Sequence, residues 1–239
     1  MPDLAGSPGF LNTATDYLKS DPKVVFDALN RGKEWADICG APNQTLIKMA
    51  AVGSAAKSAI DVVSLPSRIT GFGSGALQFG SNPTPSSFVN FTGACSGLVE
   101  HLLKAWSFFT KQGFVECHPE LASAASTWIP VTATVGTVCR LEKQVEEIAK
   151  IEQGSSAAGT KTVNNLIAVA KEVGFLAMGV IGVLGAIFGV LFNPLWYTLA
   201  GTAGLAFGVI QHFHTNMVML PELRGRISLD VGSPITPAV

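Results

Sequence analysis

The sequence predicts an all-α fold: a helical bundle with a hydrophobic two-helix hairpin near its C-terminus, either transmembrane or buried in the bundle. Apolar residues recur with a helical period of 3.6 in several segments, and none of these segments alternates like a half-buried strand. Residues 173–221 contain no Asp, Glu, Lys or Arg. Helices are predicted at residues 10–19, 22–39, 43–64, 86–111, 120–152 and 161–213, the last one broken at Asn193 and Pro194.

The charge-free stretch divides into two apolar arms, residues 173–192 and 195–213. A helix rises about 1.5 Å per residue, so an arm of about 20 residues spans about 30 Å, the thickness of the hydrocarbon core of a bilayer. Asn193-Pro194 lies between the arms. This dipeptide favours a turn, and proline cannot extend the first helix because it lacks an N–H group. We therefore expect a hairpin with both ends on one side of a membrane.

Glycine recurs at the same offsets in both arms and forms G-xxx-G pairs. Small residues at this spacing let two helix backbones approach closely in lipid, where dispersion packing drives association. Close packing between the arms is the favoured interpretation. The alternatives are that glycine is simply common in spanning helices, or that these faces line a pore. The predicted packing residues are Gly182, Gly185, Gly189, Gly201, Gly204 and Gly208.

The composition argues against an ordinary soluble enzyme and against nucleic-acid binding. Hydrophobic residues make up 48% of the chain, charged residues 14%, and the net charge is −1. Binding to phosphate backbones needs a concentrated basic face, which this chain lacks. Four cysteines are widely spaced without a C-xx-C pair, so neither a zinc site nor a disulfide framework is expected.

Two segments approach chemical motifs but do not satisfy them. In residues 116–120 a cysteine adjoins a histidine, and adjacent side chains rarely face each other as a nucleophile and its base must. In residues 154–162 an extra Thr160 separates Gly159 from Lys161, and a charged helix precedes the segment where a phosphate-binding loop requires a buried strand. The sequence predicts no enzyme activity, no catalytic residue, no metal site and no cofactor.

Two segments carry a heptad seam of apolar and small residues, 46–63 and 88–109. Such a seam suits a close helical neighbour. The second seam is wide and aromatic, so it is predicted to be core or a surface for a partner protein. His101 lies beside this seam and is interpreted as a satisfied surface histidine. The candidate interaction seam consists of Phe88, Phe91, Leu98, Leu102 and Phe109.

The remaining segments are predicted to be a leader, two linkers and a tail, because they are rich in Gly, Ser and Pro. The predicted order is a disordered leader at 1–9, a helical region at 10–153 with a flexible Gly/Pro linker at 70–85, a linker at 154–160, hairpin helices at 161–221 and a disordered tail at 222–239.

Basic residues flank the hairpin on both sides: Lys161 and Lys171 before it, Arg224 and Arg226 after it. Cytoplasmic flanks of membrane helices carry an excess of Lys and Arg. We therefore expect both ends of the hairpin, and both termini, on the cytosolic side.

A bilobed hydrophobic segment with a very short turn, here residues 173–213, resembles the chlamydial inclusion membrane proteins. The low-charge start, residues 2–15, is similar to the export region by which such proteins leave a bacterium through a type III secretion system. The helices at 46–63 and 88–109 resemble those of the class-I-accessible member of that family. The resemblance implies a host vacuole membrane with both termini in host cytosol. It implies no catalytic or binding residue, because hydropathy defines the family.

The favoured hypothesis is a non-enzymatic, membrane-anchored helical protein that presents helical surfaces to host or self partner proteins, with homo-oligomers left open. The alternative is a helical pore-forming or membrane-remodelling protein whose hairpin inserts from a soluble bundle. The degree to which other helices cover the hairpin distinguishes these two hypotheses.

Overall fold

The computed structural model of the chain describes residues 9–116, 118–151 and 158–222, and every regular element in these ranges is helical. The predicted all-α fold is confirmed. The predicted leader and tail lie almost entirely outside the described residues, as do residues 154–157 of the second linker. The rest of that linker, residues 158–160, belongs to a helix instead. The helices are α1 (Phe10–Ser20), α2 (Lys23–Ile38), α3 (Gln44–Val63), α4 (Leu65–Ser81), α5 (Pro85–Lys111), α6 (Pro119–Ala149), α7 (Ala158–Phe188) and α8 (Pro194–His214), followed by a π-helical turn at Thr215–Met219.

Side-chain caps set the start of several helices. Asn43 caps α3: its side chain accepts a hydrogen bond from the backbone N of Leu46 at 3.1 Å. Helix α5 is capped by Thr84, whose hydroxyl oxygen accepts from the backbone N of Ser87, while Ser87 Oγ accepts from the backbone N of Thr84. This reciprocal cap satisfies two N–H groups that the helix leaves unpaired.

Helix α4 replaces most of the flexible linker predicted at 70–85, and that prediction is wrong up to Ser81. Each glycine in a helix costs about 1 kcal/mol relative to alanine, so the local sequence argued against a helix. Packing of α4 against α5 offsets this cost in free energy. The Phe79 ring stacks on the Phe91 ring with centroids 5.7 Å apart. A Cβ on Gly75 would lie 3.5 Å from Ala94 Cβ, so this glycine allows a close approach of the two helices.

Six helices form a closed ring. Helix α2 packs on α3, α3 on α5, α5 on α6, α6 on α7, α7 on α8, and α8 returns to α2. Helix α4 lies outside the ring against α5, and α1 contacts α8 and the π-helical turn. The ring therefore places residues from distant parts of the sequence around one interior.

The buried positions of this fold are occupied mainly by small or polar side chains. Apart from Cys139, the buried apolar residues are alanines, and the largest fully buried side chains are Thr13 and Thr198. Large apolar side chains point outward on every helix, for example Leu77, which is 76% exposed, and Trp128, which is 55% exposed. Water-soluble bundles bury such residues, whereas helices packed in lipid place small residues at their contacts.

Candidate functional site

Helix α7 is the one helix, in the part of the chain that the structure describes, long and apolar enough to cross a membrane. Only 11% of its most apolar stretch of 18 residues is buried. The second predicted arm forms α8, which contains Gln and His residues near its end and is not apolar enough to be a candidate for crossing a membrane. Of the two predicted membrane arms, one therefore lies in a helix whose length and composition would allow it to cross a membrane.

The turn between α7 and α8 is longer than predicted. Gly189 ends α7 with a φ of 64°, in the left-handed region that favours glycine. Pro194 does not end the first arm; it occupies the first turn of α8 instead, and Asn193 caps that helix by accepting from the backbone N of Leu195 at 2.9 Å. The residues 189–193 form the connection, so the charge-free part of α7, residues 173–188, is about 24 Å long at 1.5 Å per residue.

The closest backbone approach between α7 and α8 occurs at Gly174 and Gly204. A Cβ on Gly174 would lie 2.7 Å from the backbone N of Gly204, and a Cβ on Gly204 would lie 2.9 Å from Cδ1 of Phe175. Real Cβ atoms do not approach so closely, so only glycine fits at either position. Gly174 was not among the predicted packing residues, because it does not belong to the repeated glycine pattern.

The other predicted glycines have different neighbours. A Cβ on Gly201 would lie 3.0 Å from Met178 Sδ, whereas one on Gly185 would meet only the carbonyl oxygen of Val190 at 3.5 Å. Gly189 has open space around it. The predicted ridge of Gly185 and Gly189 therefore does not take part in the contact between α7 and α8, because it lies at the end of α7 beside the turn. Gly182 faces Pro130 of α6, and Gly208 faces Lys171.

The candidate interaction seam on α5 is partly covered by α4. Phe91 contacts the rings of Phe72 and Phe79, each at 5.7 Å between centroids. Phe88 is 54% exposed and Leu102 is 49% exposed. The remaining members, Leu98 and Phe109, are half-buried.

The ring interior contains ionisable groups beside the apolar helices. A cavity of about 490 Å³ has lining residues from all six ring helices, and its charged members include Arg31, Lys57 and Glu100. Lys57 forms an ion pair with Asp27, and Lys104 Nζ lies 2.5 Å from Glu100 Oε1. Neighbouring cavities of about 460 Å³ adjoin it on two sides and share lining residues with it. Cavities lined by both charged and apolar side chains therefore extend along the ring interior.

A buried carboxylate connects three of the ring helices. Asp61 of α3 is 4% exposed, and its Oδ1 lies 2.5 Å from Lys23 Nζ and 3.5 Å from His101 Nε2. His101 Nδ1 lies 2.8 Å from the carbonyl oxygen of Gly97. The interpretation of His101 as a surface histidine is wrong: it is 6% exposed, because α3 covers the face of α5 that carries it. Burial lowers the pKa of His101 below its ordinary value.

A second buried carboxylate lies where α6 and α7 meet. Glu172 is 3% exposed and accepts a hydrogen bond from Arg140 Nε at 2.9 Å. Lys171 Nζ lies 3.4 Å from the other carboxylate oxygen of Glu172 and donates to Gln211 of α8 at 3.0 Å. A buried carboxylate needs such cationic partners, so this group fixes α6 against α7 at the start of the apolar segment.

Residues 173–221 contain no Asp, Glu, Lys or Arg of their own, and the structure brings such groups to them from other helices. A signal was present in α2, where Lys23, Asp27, Arg31 and Glu34 follow one another at spacings that share one helix face. Among the described residues, no group of three or more His, Cys, Asp or Glu could hold a metal ion. Comparison with protein-family models, with curated protein sequences and with solved structures gave no match to this chain.

Proposed function

We propose that this chain is a non-enzymatic membrane protein whose α7–α8 pair enters a bilayer and whose other helices present surfaces to partner proteins. One observation carries the proposal: few residues in the apolar segment of α7 are fully buried by the rest of the chain. The bulky residues Val180 and Ile187 are 42% and 50% exposed on it. In water such a helix exposes apolar area at a cost of about 25 cal/mol per Å², and lipid removes that cost.

A charge on the exposed face of α7 tests this proposal. The substitution Val180→Lys would place a charge in the hydrocarbon core at a cost of roughly 2.5–3.5 kcal/mol. The fraction of the protein that stays in the membrane after carbonate extraction should therefore fall strongly. Val145→Lys on α6 is the matched control, because Val145 is 54% exposed but lies on a helix that stays outside the bilayer in this proposal. Equal membrane fractions for both variants would contradict the proposal.

The proposed bilayer is a host vacuole membrane, as the resemblance to chlamydial inclusion membrane proteins suggests, with both termini in the cytosol. The sequons at Asn43 and Asn90 provide a test in a eukaryotic membrane system. Both should remain unglycosylated, whereas an acceptor site built into a lengthened 189–193 turn should be modified. The reverse result would place the termini on the opposite side. The exposed seam residues Phe88 and Leu102 are the proposed contact surface for a partner or for a second copy.

A pore-forming protein is the second candidate, and the ring interior favours it. Charged residues of membrane proteins face the bundle interior or water-filled cavities, and here Asp27 and Glu100 line a cavity to which all six ring helices contribute. Ion flux into vesicles tests this candidate. Asp27→Asn and Glu100→Gln should change the cation-to-anion permeability ratio, whereas Asp16→Asn, an exposed residue of α1, should not. Absence of any flux with the wild-type chain would exclude the pore.

A further inference from the structure

Helix α2 contacts the half of α8 that lies next to the turn. Trp35 Nε1 donates to Thr202 Oγ1 at 3.0 Å, and Thr198 Oγ1 donates to Glu34 Oε2 at 3.1 Å. Arg31 Nη1 lies 2.5 Å from the same Glu34 oxygen. These side chains come from positions more than 160 residues apart in the sequence. We name Arg31, Glu34 and Trp35 the α2 clasp.

The contact between the α2 clasp and α8 is tight. Thr198 is 1% exposed, and a Cβ on Gly201 would lie 2.8 Å from Arg31 Nη1. The Arg31 guanidinium also lies 5.3 Å from the centre of the Tyr197 ring, within cation–π range. The small face of α8 therefore contacts charged groups of α2 on one side and α7 on the other.

Helix α2 is too charged to enter hydrocarbon together with α8. Besides the Arg31–Glu34 pair, it carries Lys33 and Asp37, which pair at 2.8 Å with side chains 39% and 45% exposed. Lipid-facing charges are strongly disfavoured in the hydrocarbon core. Contact of α8 with α2 and insertion of α8 into a bilayer therefore exclude each other.

From this exclusion we propose that the α2 clasp keeps α8 in the closed ring in water and must release α8 before the α7–α8 pair enters a bilayer. The inference rests on the proposed membrane function, because it concerns how the same helix pair reaches the membrane. In the clasped state the polar Thr198 and Thr202 hydroxyls have partners on α2. After release they can turn to backbone carbonyl oxygens of α8 itself, as Thr202 Oγ1 already does by donating to the carbonyl oxygen of Thr198.

A covalent lock between α2 and α8 tests the inference. Ile38 and Leu195 line one groove between the two helices, so cysteines at both positions can be joined by a short bis-maleimide. The full-length double variant is synthesised in a cell-free system without membranes, cross-linked, and added to vesicles of phosphatidylcholine and phosphatidylglycerol. The control is the single variant Ile38→Cys treated with the same reagent. The native cysteines are replaced beforehand, Cys39, Cys95 and Cys117 by Ser and Cys139 by Ala.

We expect the locked chain to show a carbonate-resistant fraction about tenfold lower than the control, because insertion would have to carry charges into hydrocarbon. A weakened clasp should act in the opposite direction. Trp35→Ala should insert faster than the wild-type chain, whereas Trp128→Ala on the exposed face of α6 should not.

Two results would overturn the inference. If the locked chain and the control insert equally, α8 enters the bilayer with α2 attached, which favours the intact ring of the pore candidate. If the cysteines do not cross-link in water, α2 does not hold α8. Failure of the proposed membrane function gives a different result: neither the locked chain nor the control becomes carbonate-resistant.

Discussion

The helix pairs α4–α5 and α7–α8 have similar sequence features and differ in the groups that lie at the contact between their two helices. The turn of each pair lies within a charge-free stretch, residues 69–99 and 173–221, and an Asn-Pro dipeptide lies at or near each turn, at 82–83 and 193–194. Each pair also contains a glycine that faces the partner helix. The sequence nevertheless predicted a linker at 70–85 and a membrane helix at 173–192, because the first segment is rich in Gly, Ser and Pro and the second is almost wholly apolar.

The difference between the two pairs lies in the size of the groups at the contact. In α7–α8 the backbone of Gly204 is so close to Gly174 that no Cβ fits. In α4–α5 aromatic rings fill the space, and a Cβ on Gly75 would still be at ordinary contact distance. The comparison teaches that a glycine allows two helices to pack closely only where it lies at their contact. The glycines of a G-xxx-G pattern beside the turn contact nothing on the other helix.

Substitution of Gly204 should lower the stability of the fold more than any other change to these two helix pairs. Gly204→Leu forces the side chain into the Phe175 ring, and such overpacking costs about 1–3 kcal/mol. Thermal unfolding in detergent should show a clear loss of stability. Gly185→Leu is the matched control on α7, and it should keep a stability close to that of the wild-type chain. Equal losses for both variants would contradict the assigned contact.

Removal of an aromatic ring should weaken the packing of α4 on α5, with a smaller loss of stability than Gly204→Leu causes. Phe91→Ala removes ring contacts with Phe72 and Phe79, each worth about 0.5–1.5 kcal/mol beyond area burial. Hydrogen exchange across α4 should become faster while exchange in α7 stays unchanged. Leu77→Ala, at a residue that is 76% exposed, serves as the control. Unchanged exchange in α4 would mean that the rings do not hold this helix.

A glycine substitution distinguishes a helical α4 from a linker. Gly73 lies inside α4 with no neighbour that a Cβ would touch, so Gly73→Ala should stabilise the fold by about 0.5–1 kcal/mol. Gly113→Ala should instead destabilise it, because Gly113 has a φ of 76°. Denaturant unfolding measures both changes. No gain from Gly73→Ala would favour the linker.

The pH dependence that His101 confers on α5 should be the smallest effect. Burial lowers the pKa of His101, Arg68 lowers it further, and Gly97, Asp61 and Glu100 oppose the shift. The unfolded chain therefore takes up the proton at a higher pH than the folded chain. The stability from neutral His101 is fully present above about pH 6.5 and decreases as the pH falls below that value. Denaturant unfolding between pH 8 and 5 should show this decrease, and His101→Gln should reduce it. A variant with the wild-type pH profile would exclude His101 as its source.

The sequence by itself determined the local features of this protein. Helical periodicity predicted the all-α class and the approximate bounds of most helices, including the start at residue 43, where Asn43 caps α3 over only three residues. The charge-free composition of residues 173–188 predicted the capacity of α7 to cross a membrane. These features depend on neighbours within one or two helical turns, which the sequence displays directly.

The tertiary structure decided which faces meet. It made a helix of the glycine-rich α4 through Phe79 and Phe91, selected Gly174 rather than Gly185 for the contact with α8, buried His101 beside Asp61, and placed Glu34 against Thr198. Each of these contacts joins groups on different helices, and its energy depends on how the helices are rotated about their axes. Periodicity determines that rotation only when one face is clearly more apolar than the other. In a chain whose helices carry large apolar residues outward and small residues inward, packing between distant segments makes that choice.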